Sequence, residues 1–264
     1  MAPRATIALV CLAVAAGCGG DAAKPPALVG TLKCTGSGSP TVILESGLGV
    51  DPTSTWGAVA PAVARGTRVC VHRRPGTAGV PPVGRSRTAG AVASELARLM
   101  GAAHVARPVV LVGASFGGYV AQLYASRAPR DVAGVVLVDS LHPDIDRTFA
   151  RLFGERAADA RARQLAANSE GVAFRDLVAS AREVAAAHGF PPVPLIVLEH
   201  GISFDPGGEP DPALERAWGR MQRELAALSP KGELIVAARS HHRIAEDQPA
   251  LVARAIERVV AAAR

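Results

Sequence analysis

Residues 109–118, Val-Val-Leu-Val-Gly-Ala-Ser-Phe-Gly-Gly, constrain this chain more than any other stretch. Val109 to Val112 is an apolar, mostly β-branched run, the pattern of a strand buried on both faces. It runs into Gly113-Ala114-Ser115-Phe116-Gly117, and residues 119–127 then read as a helix. A serine on so tight a strand-to-helix turn needs small neighbours, because the backbone there is strained and crowded. Gly113 and Gly117 supply the room. The spacing therefore predicts an elbow that presents the Ser115 hydroxyl as a nucleophile. The alternative is a glycine-rich turn with an idle serine, which leaves the strand before it and the helix after it as coincidence.

A strand buried on both faces needs parallel neighbours, and the sequence offers them. Residues 27–34, 41–45, 67–72, 134–139, 193–198 and 233–237 read as strands. Helical periodicity covers 52–64, 88–100, 212–228 and 248–262. In 88–100 it places Val92, Leu96, Leu99 and Met100 on one face, with Gly101 as the stop. In 212–228 the stripe Leu214, Trp218, Met221, Leu225 and Leu228 reads as core packing, not as a cofactor box. Pro249 falls in the first turn of the last helix, where its missing N–H costs nothing. Strands alternating with helices predict an α/β fold, a mostly parallel central sheet with helices on both faces. Residues 141–189 break the alternation. They are rich in Ala and Arg, carry no strand-like run, and are interrupted at Gly154, Asn168-Ser169 and Gly171. They read as a small helical lid inserted into one domain spanning 28–264, a length that a single core can fill.

Composition removes other classes. The formal charge is +6, yet aromatics make up only 4% and no basic run is interleaved with them, so a nucleic-acid partner is not expected. No apolar stretch beyond the N-terminus is long enough for a membrane span. Residues 1–20 read as an export signal, with Arg4 ahead of an apolar run from Ala5 to Ala16. Ala15-Ala16-Gly17-Cys18 resembles a bacterial lipobox, although Ala15 stands where such motifs usually carry Leu. It predicts lipidation of Cys18 and a membrane anchor in the bacterial envelope, with 21–27 as a tether. An ordinary secretory signal is the alternative, giving a secreted or periplasmic protein. Of four cysteines, Cys11 leaves with the signal. Cys34 and Cys70 sit on predicted strands and are either a disulfide or two buried thiols.

The remaining motif lies between the last strand and the last helix, Arg239-Ser240-His241-His242-Arg243, with Asp247-Gln248-Pro249 downstream. Together with the elbow and with Pro40-Thr-Val-Ile-Leu-Glu-Ser-Gly-Leu-Gly49, it makes the chain resemble the α/β-hydrolases from about Leu28 to its end. More narrowly, it resembles the bacterial lid-bearing, esterase-like group. That resemblance implies a serine hydrolase. His242 aligns with the catalytic base, and His241, where a glycine is usual, is the second choice. A serine hydroxyl needs such a base, the protonated base needs a carboxylate, and the tetrahedral oxyanion needs preset N–H donors. The amides of Phe116 and Leu48 are the expected donors. For the carboxylate the family offers two places, the end of the strand holding Asp139 and the loop holding Asp205. Asp139 is preferred because ligands gather at the C-terminal edge of parallel sheets. Glu199 is a third candidate.

Three departures from relatives stand out. Ala114 precedes the nucleophile where His is common. His72-Arg73-Arg74-Pro75-Gly76 replaces a usual Tyr-Asp-Arg-Pro-Gly, and its Arg74 is expected to pair with Glu45. His142 and His200, near the candidate acids, read as loop or pocket histidines. No His-Glu-x-x-His or similar spacing points to a metal, and no cofactor is expected. The expected reaction is hydrolysis of a carboxylic ester, a small-molecule substrate, through an acyl-enzyme on Ser115. An amidase or peptidase, a thioesterase, an acyltransferase and a non-catalytic envelope lipoprotein are the alternatives on the same fold.

Overall fold

A computed structural model describes residues 30–203 and 211–264. The export signal, Cys18, the tether and Asp205 all lie outside the described residues. The chain runs β1 (Thr31–Thr35), β2 (Val42–Glu45), α1 (Pro52–Trp56), α2 (Val59–Val63), β3 (Val69–Arg73), α3 (Ala89–Ala102), β4 (Val109–Ala114) and α4 (Phe116–Arg127). It continues through β5 (Val132–Val138), α5 (Ile145–Phe153), α6 (Glu155–Ala166), α7 (Phe174–Ala185), β6 (Leu195–His200), α8 (Pro212–Ala226), β7 (Gly232–Ala237), α9 (Ile244–Asp247) and α10 (Pro249–Ala262).

The described strands form one seven-stranded sheet in the order β1-β3-β2-β4-β5-β6-β7. β1 is antiparallel to β3, and every other pairing is parallel. The apolar strands explain this layout, since β2 and β4 are buried at every position and need cover on both faces. Each face has its own core. One gathers Ile43, Leu111, Leu137 and Val197 against α3, α4 and α7, through Leu96, Val120 and Leu177. The other gathers Leu44, Val112, Val136 and Leu198 against α2 and α10, through Val59, Ile256 and Val259.

Several boundaries differ from the sequence expectation, for local reasons. β1 ends at Thr35 and sits on the sheet edge, with Cys34 opposite Cys70 of β3, and the two sulfurs are bonded. The helix expected over 52–64 is two short ones, broken at Gly57-Ala58. β6 starts at Leu195 because Pro194 has no N–H for the ladder. It also runs two residues past Leu198, pairing Glu199 and His200 with Val236 and Ala237 of β7. The insertion between β5 and β6 does consist of helices, α5 to α7. Its connecting loop turns inward, and Glu170 there is fully buried.

Strand order places the site. From β2 the chain steps to β3 on one side, then returns to β4 on the other. The loops leaving β2 and β4 therefore diverge at the C-terminal edge, the usual ligand position in such sheets.

Candidate active site

Ser115 stands between β4 and α4 with φ 50° and ψ −116°, a left-handed backbone that few residues with a side chain adopt. The turn is tied down on each side. The Ser115 amide donates to the Val138 carbonyl at 3.1 Å, and its carbonyl accepts from the Gly118 and Leu141 amides at 3.0 and 3.2 Å. The flanking glycines are required by close approach. A Cβ at Gly113 would lie 2.4 Å from the Gly117 carbonyl oxygen, and one at Gly117 would lie 2.4 Å from that of Glu45. Phe116 is the first residue of α4, so its amide is among the donors that a helix start leaves without an intrahelical acceptor.

Opposite the elbow runs the loop after β2, residues 46–49. A Cβ at Gly47 would come within 3.6 Å of the Ser115 Cβ, so this backbone borders the nucleophile directly. Arg74 shapes the loop from beneath. Its guanidinium donates to the carbonyls of Ser46 at 3.0 Å and Gly47 at 2.6 Å. It also pairs with Glu45 at 3.1 Å, as the sequence reading expected, and with Glu170, which that reading missed. Glu170 accepts from Arg74 Nε at 2.8 Å and Nη2 at 2.7 Å, and from the Gly49 amide at 2.8 Å. The carbonyls of Ser46 and Gly47 are thus both taken up by Arg74. Burial would raise the Glu170 carboxyl, but the Arg74 charge and the bonds from Arg74 and Gly49 hold it below the ordinary value. Burial opposes the Arg74 charge, and Glu170 and Glu45 outweigh it.

Asp139 directly follows β5, also at positive φ, and is fully buried. Its Oδ2 lies 2.6 Å from Nδ1 of His242. The same oxygen lies 2.7 Å from Nδ1 of His200. Its Oδ1 accepts from the Trp218 indole at 2.9 Å and from the His200 amide at 3.2 Å. Burial alone would raise this carboxyl, yet the hydrogen bonds from His200 and His242 and their charges bring it down to about 2. His242 is carried by the loop after β7, which is stitched to the loop after β6 by Gly201 and Ile202 amides donating to the Ser240 carbonyl. Gln248 donates to the Ser240 hydroxyl at 2.7 Å, and Asp247 accepts from the His241 amide at 3.0 Å. The Asp-Gln-Pro segment is thus a brace for the histidine loop. The His242 side chain is a quarter exposed.

Of the predicted site residues, the structure gathers Ser115, Phe116, Leu48, Asp139 and His242 at one sheet edge. His241 is turned away, exposed, with Nδ1 3.2 Å from the Ser203 carbonyl. Glu199 faces a cleft with Glu215 and Arg223 instead of the histidine loop. His200 was expected to be a loop or pocket residue. It is the last residue of β6 and binds the candidate acid, because β5 and β6 are neighbours in register. His142 fits the expectation better, bonded to Glu224 at 3.2 Å and to the Asp144 amide. Trp218 and Glu170 were missed as well, the first read only as core and the second as part of the insertion. Among the described residues no group of three His, Cys, Asp or Glu could hold a metal ion, and no helix is long and apolar enough to cross a membrane.

Comparison with known proteins agrees with this fold. The model of the alpha/beta hydrolase family matches residues 42–255. The uncharacterized protein YqjL of Bacillus subtilis is 27% identical over 232 residues, 86% of each chain. Among solved structures, a thermophilic esterase from Thermogutta terrifontis superposes with a TM-score of 0.60 at 20% identity, covering 87% of this chain and 92% of that one. A putative lipase from Acinetobacter baumannii gives 0.64 at 17%, covering 89% of each. At such identity these two structures speak to the fold.

Proposed function

We propose that this chain, which belongs to the alpha/beta hydrolase family, cleaves carboxylic esters through an acyl-enzyme on Ser115. The observation that carries the reading is the 2.6 Å bond between His242 and the buried Asp139, on the sheet edge where β4 runs into Ser115. With Nδ1–H of His242 donating to Asp139, Nε2 is the proton acceptor. Ser115 Oγ attacks the ester carbonyl as its proton passes to Nε2. The oxyanion is met by the amides of Phe116 and Leu48. Collapse expels the alkoxide, which takes that proton from His242 and departs as the alcohol. Water, activated by the same base, then releases the acid and restores the serine. Ala114 beside the nucleophile takes no part in these steps.

We further propose that α5 to α7 cover that sheet edge as a lid. Ile145 of α5 packs on Trp218 and Met221 of α8, beside Asp139, while Leu152 and Phe153 on the same helix stay exposed. Apolar side chains there favour an ester with an apolar acyl or alcohol group. Export, with lipidation at Cys18, rests on the N-terminal sequence. The Cys34–Cys70 disulfide is in keeping with an oxidising compartment.

The test is a panel of p-nitrophenyl esters of increasing acyl length, read for a burst of p-nitrophenol equal to the enzyme present. Turnover with a burst supports acyl transfer. No turnover on any ester, with the protein folded, would defeat the reading.

A further inference from the structure

Within the acyl-transfer reading, Asp139 serves two histidines, and only one is needed for proton transfer. His200 Nδ1 and His242 Nδ1 lie 2.7 and 2.6 Å from the same oxygen, Oδ2. The two rings differ in their other contacts. His200 Nε2 lies 3.0 Å from the Glu215 carboxylate of α8, so both ring nitrogens face carboxylates. Neither contact can be made by an unprotonated nitrogen without setting a lone pair against an anion. The Trp218 ring lies 5.9 Å from the His200 ring, tilted by 31°, and 6.1 Å from that of His242, edge-on. His200 is 8% exposed and cannot trade these partners for water.

We propose that His200 is a positioning residue, a fixed cation that shares the Asp139 carboxylate with His242 and sets the pH at which that base becomes competent. The inference rests on the role given above to His242. Asp139 alone would hold the base protonated to a higher pH. A second cation on the same oxygen opposes that, so the base is released at lower pH. At an effective dielectric of about 20, two charges about 5 Å apart interact by on the order of two pH units, an upper bound for delocalised imidazolium charge. The groups facing His200 are Asp139 from the end of β5, Glu215 from α8, His242 from the loop after β7 and Glu199 beside it on β6. Arg223 of α8 faces Glu199. The balance at His200 itself favours its charge. Burial lowers its pKa, but the bonds and charges of Asp139 and then Glu215 raise it to about 9.

The test uses the rate of Ser115 labelling by a fluorophosphonate as a function of pH, in the wild type and in His200→Asn. Asparagine keeps an amide donor close to the position of Nδ1 but carries no charge and cannot reach Glu215. The acid limb of the labelling rate should move up by about one to two pH units in the variant. A lower rate with an unmoved limb would mean that His200 only packs, and would overturn the inference while leaving Ser115 as nucleophile. A wild type that never labels would overturn the acyl-transfer reading together with it. A second measurement needs no folded variant. In a histidine ring NMR titration of the wild type, one of the seven histidines should remain imidazolium to above pH 8. If every ring is neutral by pH 8, the inference fails.

Discussion

Replacing Glu170 tests whether a residue of the helical insertion holds the loop beside the nucleophile. Glu170 makes two buried charged bonds to Arg74 and accepts a third, part-buried, from the Gly49 amide. Glu170→Leu leaves Arg74 with Glu45 and two carbonyls, in a site where it is 1% exposed. Removing one partner of a buried pair costs about 3–5 kcal/mol, because the other charge stays buried. With a urea slope of about 2–3 kcal/mol/M, the unfolding midpoint should fall by about 1–2 M. Arg74→Met should also destabilise, since it takes the guanidinium away from both buried carboxylates and leaves Glu45 with His72 and Glu170 with the Gly49 amide. The double variant removes charge on both sides and should be more stable than the sum of the singles predicts, with a coupling of at least ~2 kcal/mol. Fluorescence of Trp56 and Trp218 reports the unfolding. Catalysis gives a second reading, because loss of an aligned oxyanion donor costs about a hundredfold or more in kcat. Additive stability losses together with an unchanged kcat would refute the idea that this cluster sets the loop.

Other expectations follow from single features. Gly118→Ala would put a Cβ 1.8 Å from the Ser140 hydroxyl, next to Asp139. It should destabilise by about 1–3 kcal/mol, measured by thermal unfolding, and lower the labelling rate. Reducing the Cys34–Cys70 bond, which closes a loop of sequence separation 36, should cost up to about 4 kcal/mol in urea with and without dithiothreitol. Stability should also fall at both ends of the pH range. Asp139, lowered to about 2, contributes fully above the ordinary carboxyl range of about 4 and loses its contribution as pH falls toward 2. His200, raised to about 9, contributes fully below about 6.5 and loses its contribution as pH rises through 9. Urea midpoints across pH should show both declines, the acid one smaller in Asp139→Asn and the alkaline one smaller in His200→Asn.

The elbow was legible because everything that makes it is local. The apolar run, the two glycines and the helix after Phe116 lie within one short segment, and periodicity reports them directly. The Arg74–Glu45 pair was legible for a related reason, since each residue belongs to a strand end on the same edge. What sequence could not supply was adjacency. Asp139 gains its meaning from β6 lying beside β5, in a register that carries His200 to its carboxylate. No spacing in the chain states that register, and ending β6 at Leu198 left His200 in a loop. Glu170 was hidden differently. It sits in an Ala- and Arg-rich insertion whose composition reads as surface, and only the fold shows the chain dipping inward to meet Arg74. Trp218 fell on a true packing stripe, which concealed that its indole also donates to the acid.

In the proposed reaction Ser115, activated by His242, is the nucleophile. Mass spectrometry of the intact protein after fluorophosphonate treatment, with peptide mapping, addresses it most directly. One adduct per chain should form, on Ser115. It should be absent in Ser115→Ala and slowed at least a hundredfold in His242→Ala, while His241→Ala labels normally. An adduct elsewhere, or full labelling in Ser115→Ala, would show that Ser115 is not the nucleophile.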